Sequence, residues 1–148
     1  MTPKQFQIHI SDLSKEVQQF LDVDGPELAA NIAVEKFKEN FAQESFFGKK
    51  WKEVERRKPG TKAYKVVSKK HPVRNIDKIL HKTSNLRDSI TYRTESGKAI
   101  VYSDTTYGKY HNEGSGKIPK RQFIGKNKNL ETEIYDMLNK KVQQIFKK

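Results

Sequence analysis

The sequence predicts an α+β fold in a single domain, with a small, mostly antiparallel sheet flanked by N-terminal helices and a long C-terminal helix. Near both ends of the chain, apolar residues recur at three- and four-residue steps, which is typical of amphipathic helices. Between them, residues 89–103 hold two β-branched and aromatic runs around Glu-Ser-Gly-Lys, which predicts a β-hairpin. A chain of 148 residues is the size of one domain, so we expect residues 1–148 to share one core.

Two helices are predicted at the start of the chain. The first covers about residues 4–22, and its apolar stripe consists of Phe6, Ile10, Leu13, Val17, Phe20 and Leu21. We expect residues 22–25 to break this helix. Pro26 suits the first turn of a second helix, since the amide hydrogen that proline lacks has no helical partner there, and Glu27 is favourable near the positive end of the helix. This helix continues to about Glu44, with a stripe of Leu28, Ile32, Ala33, Phe37 and Phe41.

Two further helices are predicted later in the chain. Asn75 can cap a third helix, although the polar run 83–85 can split it; its apolar residues are Ile76, Ile79, Leu80 and Leu86. The sequence also allows an additional strand around residues 64–68. The last helix covers residues 130–145, with acidic residues early and lysines late, as the helix dipole favours. Its stripe consists of Leu130, Ile134, Met137, Leu138, Val142 and Ile145.

The composition argues against several classes of protein. The chain has no cysteine, which excludes disulfides and thiolate metal sites. No apolar run approaches the roughly 18 residues that a membrane span needs, so we expect no membrane partner. The first residues lack the apolar core of a signal peptide. We therefore expect the protein to be made and to work in the cytosol, or in a particle assembled there.

Fragments of catalytic motifs are present but incomplete. His111 and Glu113 resemble the start of a zinc deaminase signature, which also needs two cysteines. A histidine–asparagine nuclease would need a further histidine after His111, and none follows. The four histidines, His9, His71, His81 and His111, lack metal-ligand spacing. We therefore expect no catalytic residue, no cofactor and no metal.

Positive charge is concentrated in residues 45–74. This segment holds eleven Lys or Arg and two Glu, which is +9 of the net charge of +12. Such a segment can bind nucleic acid through phosphates and stacked aromatic rings, dock on an acidic protein, or form a flexible solvated loop, and these three interpretations stay open. The residues expected to contact nucleic acid or an acidic partner are Lys49, Lys50, Trp51, Arg56, Arg57 and Lys58.

The most specific sequence pattern covers residues 107–125. Tyr107, Tyr110 and His111 are spaced to share one face of a helical turn, and Gly114 can end that turn. Pro119 then fixes its own backbone and favours an extended residue before it. Taken alone, this pattern also fits a helix cap followed by a buried apolar anchor.

The pattern resembles the phage virion morphogenesis family, also called tail-completion proteins, of tailed bacteriophages and prophages. The matching residues are Tyr107, Tyr110, His111, Asn112, Gly114, Pro119, Arg121, Phe123 and Gly125. Two weaker blocks resemble the family as well, and they comprise Ile79, Leu80, Thr83, Leu86, Arg87, Ser89, Ile90 and the Phe-Gly-Lys-Lys-Trp sequence at 47–51. Together they span about residues 30–146. Family members often have a second glycine directly after the first, where this chain has Ser115.

The resemblance implies a structural role in the virion, namely a tail-completion or neck protein that caps the head-proximal end of the tail and enables head–tail joining. The implied partners are further copies of itself in a ring, tail tube or tail terminator proteins, and head connector proteins, with nonspecific DNA contact as an addition. The implied location is the tail or neck of a virion assembled in the bacterial cytoplasm. The expected interface residues are Tyr107, Tyr110, His111, Asn112, Pro119, Arg121 and Phe123. The alternative is a small basic nucleic-acid-binding protein that acts through residues 45–74.

Overall fold

The computed structural model describes residues 1–64, 78–80 and 84–147. It has helices and two small antiparallel sheets, which confirms the predicted α+β class. In chain order the elements are α1 (Pro3–Gln19), a π-helical turn (Phe20–Asp24), α2 (Gly25–Gln43), β1 (Ser45–Phe46), β2 (Lys49–Lys50), a 3-10 turn (Glu55–Arg57), α3 (Asn85–Asp88), β3 (Ile90–Glu95), β4 (Lys98–Ser103), α4 (Gly108–Glu113) and α5 (Lys128–Phe146).

The chain forms two compact units. The first comprises Met1–Glu35, Tyr92–Val101 and Lys126–Lys148, and in it α1 and α5 pack against each other. Its buried apolar residues are Phe20, Ala30, Ala33, Leu130 and Ile145. The second comprises Lys36–Thr91 and Tyr102–Gly125. Its buried apolar residues are Phe37, Phe41, Trp51, Ile79, Leu86, Ile90 and Phe123.

The junction between the first two helices differs from the prediction. The expected break at residues 22–25 is wrong, because α1 runs through a π-helical turn into α2. The Gly25 N–H donates to the Phe20 carbonyl, five residues back. Pro26 has no N–H for the Asp22 carbonyl, which instead accepts a hydrogen bond from the Gly97 N–H at 3.1 Å. A wider helical turn therefore accommodates the proline and leaves one carbonyl free for the β3–β4 turn.

Both sheets are two-stranded hairpins. The β3–β4 hairpin is confirmed at residues 90–103, and Gly97 supplies the positive φ of its turn, +69°. The β1–β2 hairpin was not predicted, because each strand has only two residues. Its turn places Phe47 at φ +46° and Gly48 at φ +89°. This hairpin orders the start of the basic segment.

The predicted third helix is wrong for Ile79 and Leu80. These residues lie in a turn, and Leu80 has φ +59°. Ser84, at φ +61°, precedes the four-residue helix α3, as expected if the polar run splits the helix. Residues 75–77 of this prediction lie outside the described residues, as do residues 65–68 of the additional strand.

The C-terminal helix is confirmed. The Asn127 side chain accepts a hydrogen bond from the Leu130 N–H at 3.1 Å and so caps the start of α5. The apolar stripe of α5 is buried at Leu130 and Ile145. Among the helices that the structure describes, none is long and apolar enough to cross a membrane.

Candidate functional site

The candidate site is built around α4, whose start requires a glycine. The Gly108 N–H donates to Thr105 Oγ1 at 3.1 Å. A Cβ at this position would lie 2.6 Å from Ser103 Oγ and 2.9 Å from Thr105 Oγ1. The close approach of these two hydroxyl side chains therefore fixes where the helix begins.

The Asn112 side chain ties α4 to residues 121–124. Its Oδ1 accepts hydrogen bonds from the Phe123 N–H at 2.8 Å and the Ile124 N–H at 2.9 Å. The Arg121 N–H donates to the His111 carbonyl at 2.8 Å. Hydrogen bonds thus join the His111-Asn112 part of the sequence pattern directly to the backbone of residues 121–124.

Two residues from earlier in the chain complete this attachment. Asn40, which is buried, donates from Nδ2 to the Phe123 carbonyl at 3.2 Å and accepts the Phe47 N–H on Oδ1 at 3.1 Å. Trp51 Nε1 donates to the Gln122 carbonyl at 2.7 Å. We call residues 121–124 with these hydrogen bonds the backbone clamp.

Phe123 is the apolar centre of the backbone clamp. It is almost fully buried, and its ring centroid lies 5.1 Å from that of Phe41. The Phe41 ring in turn packs edge-on against Trp51 at 5.4 Å. We expected Phe123 at an interface, but the structure places it in the core. From there it can act on a partner only by positioning the loop.

Arg121 is also buried, although arginine is rarely so. Its Nε donates to the Lys52 carbonyl at 3.0 Å. Burial lowers the pKa of Arg121, and the positive charge of Arg56 adds to this effect. In this structure the side chain therefore fixes the backbone of the basic segment instead of projecting towards a partner.

His111 faces inward from α4. Its Nδ1 is buried and has no hydrogen-bond partner among the described residues. Burial lowers the pKa of His111, and the positive charge of Arg121 lowers it further. The imidazole is therefore neutral near pH 7, and Tyr107 packs edge-on against it at a centroid distance of 6.2 Å.

The tyrosines of α4 are exposed. Tyr107 is 42% exposed and Tyr110 is 51% exposed, three residues apart on one helical face. A tight turn follows, in which Ser115 and Ile118 exchange two backbone hydrogen bonds, at 3.0 and 2.7 Å, before the half-buried Pro119. We call residues 107–120, which end at the backbone clamp, the tyrosine loop. It presents exposed aromatic rings on a fixed backbone.

A second feature is a cleft of about 230 Å³ beside the β1–β2 hairpin. It is lined by Phe46, Lys49, Lys50, Trp51, Lys120 and Gln122, and we call it the basic cleft. None of its three lysines forms a salt bridge to another residue that the structure describes. Lys49 and Lys50, which the sequence predicted as contact residues, therefore share a site with Lys120, which it did not.

The other predicted contact residues of the basic segment have partners within the chain. Arg57 pairs with Glu44 at 2.7 Å, and Lys58 pairs with Glu55 at 2.6 Å. Arg56 Nη2 donates to the Lys78 carbonyl at 3.0 Å. Trp51 is buried, so its ring is not available for stacking on a base. The structure thus divides the predicted contact residues between the basic cleft and internal interactions.

Glu44 organises the internally paired part. Besides Arg57, its Oε1 accepts the Ile79 N–H at 2.9 Å. Burial alone would raise the pKa of this carboxyl group, but the hydrogen bonds from Arg57 and Ile79 keep it below its ordinary value of 4.5. The ion pair is therefore present throughout the neutral pH range.

The described part of the chain contains no group of three side chains that could hold a metal ion.

The sequence analysis did not identify Asn40 as a residue of the candidate site. The one available signal was a polar residue next to the apolar stripe of α2, between Phe37 and Phe41. Lys120 could have been recognised as the residue before Arg121 in the motif.

Comparison with known proteins identifies the family. A model of the phage virion morphogenesis family matches residues 27–143, well over half of the chain, and the chain therefore belongs to this family. It is accordingly a structural or assembly protein of a bacteriophage virion. Neither a search of curated proteins nor a search of solved structures gave a match.

Proposed function

We propose that this protein completes the phage tail, at the head-proximal end of the tail or at the neck, and so enables the tail to join a filled head. Membership of a virion morphogenesis family is the observation that carries the proposal. The site adds physical support. Exposed Tyr107 and Tyr110 are amphipathic rings of the kind that anchor protein interfaces.

The mechanism that we propose is binding without catalysis. The backbone clamp holds the tyrosine loop in one conformation before a partner arrives, which reduces the entropic cost of association. The proposed partners are other copies of the chain in a ring, the tail tube or tail terminator, and the head connector. In a ring, one patch of each subunit meets a different patch of the next.

Rescue of a phage lysate tests this role. The lysate comes from a phage or prophage that lacks the reading frame, and purified chain is added before infectious particles are counted. We expect wild-type chain to restore infectivity and the Tyr107→Ala, Tyr110→Ala double variant to restore it about tenfold less well or worse, since interface aromatic residues carry much of the binding energy. Tyr135→Ala, which alters an exposed tyrosine of α5, is the matched control and should rescue normally. Normal infectivity without the chain would refute the proposal.

Charge favours one alternative, nucleic-acid binding. The second unit has twenty Lys or Arg and eight Asp or Glu, and so carries the whole net charge of +12. If DNA phosphates occupy the basic cleft, the affinity for duplex DNA should fall steeply with salt. Replacing Lys49, Lys50 and Lys120 by Gln should then reduce the slope of log affinity against log salt by about three. Weak binding with an unchanged slope would count against this alternative.

A further inference from the structure

We propose that the basic cleft of one copy binds an acidic turn of a second copy, so that subunits associate head to tail. The acidic turn comprises residues 21–27, which span the π-helical turn and the start of α2. The inference deepens the proposed self-association and rests on it. It identifies the two surfaces that meet and the chemistry by which they recognise each other.

The basic cleft offers two kinds of contact. Three lysines line it, and its aromatic residues are the half-buried Phe46 and the buried Trp51. The positive charge of these lysines favours carboxylates as ligands of the cleft. A ligand with carboxylates next to apolar side chains would match both parts of the cleft.

The acidic turn has that composition. Leu21 is 50% exposed and Val23 is 48% exposed, while Asp24 and Glu27 are exposed carboxylates. Within the described residues, neither of these two carboxylates forms an ion pair. Apolar and acidic side chains therefore project together from one short segment.

The acidic turn is also fixed in place. Its Asp22 carbonyl accepts the Gly97 N–H at 3.1 Å, and Gln18 Nε2 donates to the Asp22 side chain at 2.9 Å. π-helical turns are frequent at functional sites. A segment held in this way loses little conformational freedom when it binds.

The distribution of charge supports this pairing. Residues 1–35 contain two Lys and six Asp or Glu, a net charge of −4, whereas the second unit carries +12. Opposite charges on two surfaces steer two copies towards each other. A nucleic-acid backbone would satisfy the lysines but would leave the exposed Leu21 and Val23 uncovered, so the second copy uses more of the observed surface chemistry.

The geometry of such a contact is heterologous, because two different patches meet. After the first association, the subunit that contributed its cleft keeps a free turn, and the subunit that contributed its turn keeps a free cleft. Heterologous contacts continue into a ring when the rotation between subunits closes, and into a filament when it does not. Self-association through these patches therefore leads beyond a dimer.

A charge-swap experiment tests the pairing. The cleft variant carries Lys49→Glu and Lys50→Glu, and the turn variant carries Asp24→Lys and Glu27→Lys. Each variant alone places like charges at the contact, so we expect association about tenfold weaker than wild type or worse. Mixed together, the two variants present opposite charges at both kinds of contact and should regain association. Sedimentation velocity at low salt measures this.

Matched controls separate the contact from general charge effects. Lys140→Glu with Lys141→Glu, and Glu131→Lys with Asp136→Lys, make the same changes in net charge at exposed positions of α5. Circular dichroism verifies that each variant is folded. Because the control variants keep both the cleft and the turn, each should associate like wild type. A mixture of the cleft and turn variants that associates no more strongly than either variant alone would overturn the proposal, and so would control variants that associate as weakly as the cleft and turn variants.

Crosslinking provides a second test that keeps most of the charges. The chain has no cysteine, so Lys49→Cys and Val23→Cys can be placed on separate molecules and joined with a short bismaleimide. We expect at least about fivefold more covalent dimer than with Lys140→Cys in place of Lys49→Cys, as expected for a specific contact. Equal yields would contradict the contact.

Failure of this inference can be told from failure of the proposed function. If wild-type chain rescues the phage lysate but the charge-swap mixture does not associate, the tail-completion role stands and this contact is refuted. If the mixture associates but the lysate is not rescued, the contact stands and the tail-completion role is refuted.

Discussion

Two asparagine side chains form hydrogen bonds with the backbone of Phe123, one with its N–H and one with its carbonyl. Asn112 accepts the amide N–H, and Asn40 donates to the carbonyl. Because Phe123 is buried, these backbone groups have no access to water. The two side-chain amides therefore allow a polar backbone segment to enter an apolar core.

Replacement of Asn112 should be costly. Asn112→Ala leaves the Phe123 and Ile124 N–H groups without their acceptor, and we expect a loss of about 2–3 kcal/mol in the free energy of unfolding. Asn112→Asp keeps an oxygen at the same place and should lose less. Urea unfolding measures both, and a loss below roughly 0.5 kcal/mol for the alanine variant would contradict this role.

His111 should make stability depend on pH. Its pKa in the folded protein lies below the ordinary value of 6.5, through burial and then through Arg121. The unfolded chain therefore binds a proton on His111 more readily than the folded chain does. The contribution of neutral His111 to the free energy of unfolding is complete above about pH 6.5 and is lost as the pH falls below that value.

The test compares wild type with His111→Gln in urea at about pH 7.5 and about pH 5.5. We expect the free energy of unfolding of wild type to fall more between these two values than that of the variant. The comparison removes the effect of groups that titrate in both proteins. Equal losses would show that burial of His111 is not linked to its protonation.

At the scale of elements, the end of α4 depends on Gly114. Its φ is +80°, and a Cβ there would lie 3.0 Å from the Lys120 backbone nitrogen. Gly116 also has a positive φ, +51°, but among the described residues no atom lies within 4 Å of its Cβ position. Family members often have adjacent glycines here, whereas this chain separates them with Ser115, and only the first glycine meets a steric limit.

We therefore expect Gly114→Ala to destabilise the protein more than Gly116→Ala. Gly116→Ala incurs the cost of a positive φ, which is about 1 kcal/mol. Gly114, at φ +80° and ψ 151°, lies in a region that is almost restricted to glycine, and a Cβ there also collides with backbone. Thermal unfolding of the two variants, side by side, measures the difference. A larger loss for Gly116→Ala would contradict the geometry at the end of α4.

The apolar stripe of α1 is buried unevenly. Phe6 is 55% exposed and Ile10 is 49% exposed, whereas Phe20, at the start of the π-helical turn, is buried. We expect Phe20→Ala to cost about 3 kcal/mol and Phe6→Ala less than about 1 kcal/mol, because the cost follows the burial lost. Urea unfolding of the two variants tests this, and equal losses would contradict it.

The sequence predicted the elements whose signals are local. The helical stripes, Pro26 in the first turn of α2 and the β3–β4 turn are all patterns over a few neighbouring residues. The π-helical turn was not predictable in the same way, because the Asp22 carbonyl is satisfied by Gly97, far along the chain. Likewise Ile79 is held in a turn by the distant carboxylate of Glu44, which no helical pattern reveals.

At the scale of the whole molecule, some positively charged side chains pair within the chain and others line the basic cleft. The sequence located the charge in residues 45–74, but it could not show which cations have partners. Arg57 is held by Glu44, whereas Lys49 and Lys50 join Lys120 at the basic cleft. These groupings depend on tertiary contacts between segments that are distant in the sequence.

The candidate site was predictable in the same partial way. The tyrosines of α4 were recognised, and they are exposed. Arg121 and Phe123 were expected beside them as contact residues, and the structure places both inside the fold. A sequence pattern shared with a family identifies candidate residues, but it does not distinguish the buried residues that hold the loop in place from the exposed residues on its surface.

The role that we propose for this virion morphogenesis protein is tail completion, with the tyrosine loop and the basic cleft as its proposed contact surfaces. The most direct measurement is negative-stain electron microscopy of lysates from a phage or prophage without this reading frame, beside the complemented control. If the chain completes the tail, we expect filled heads separate from unjoined or abnormally long tails, and joined particles after complementation. Normal, joined and infectious particles in the deletion lysate would contradict it.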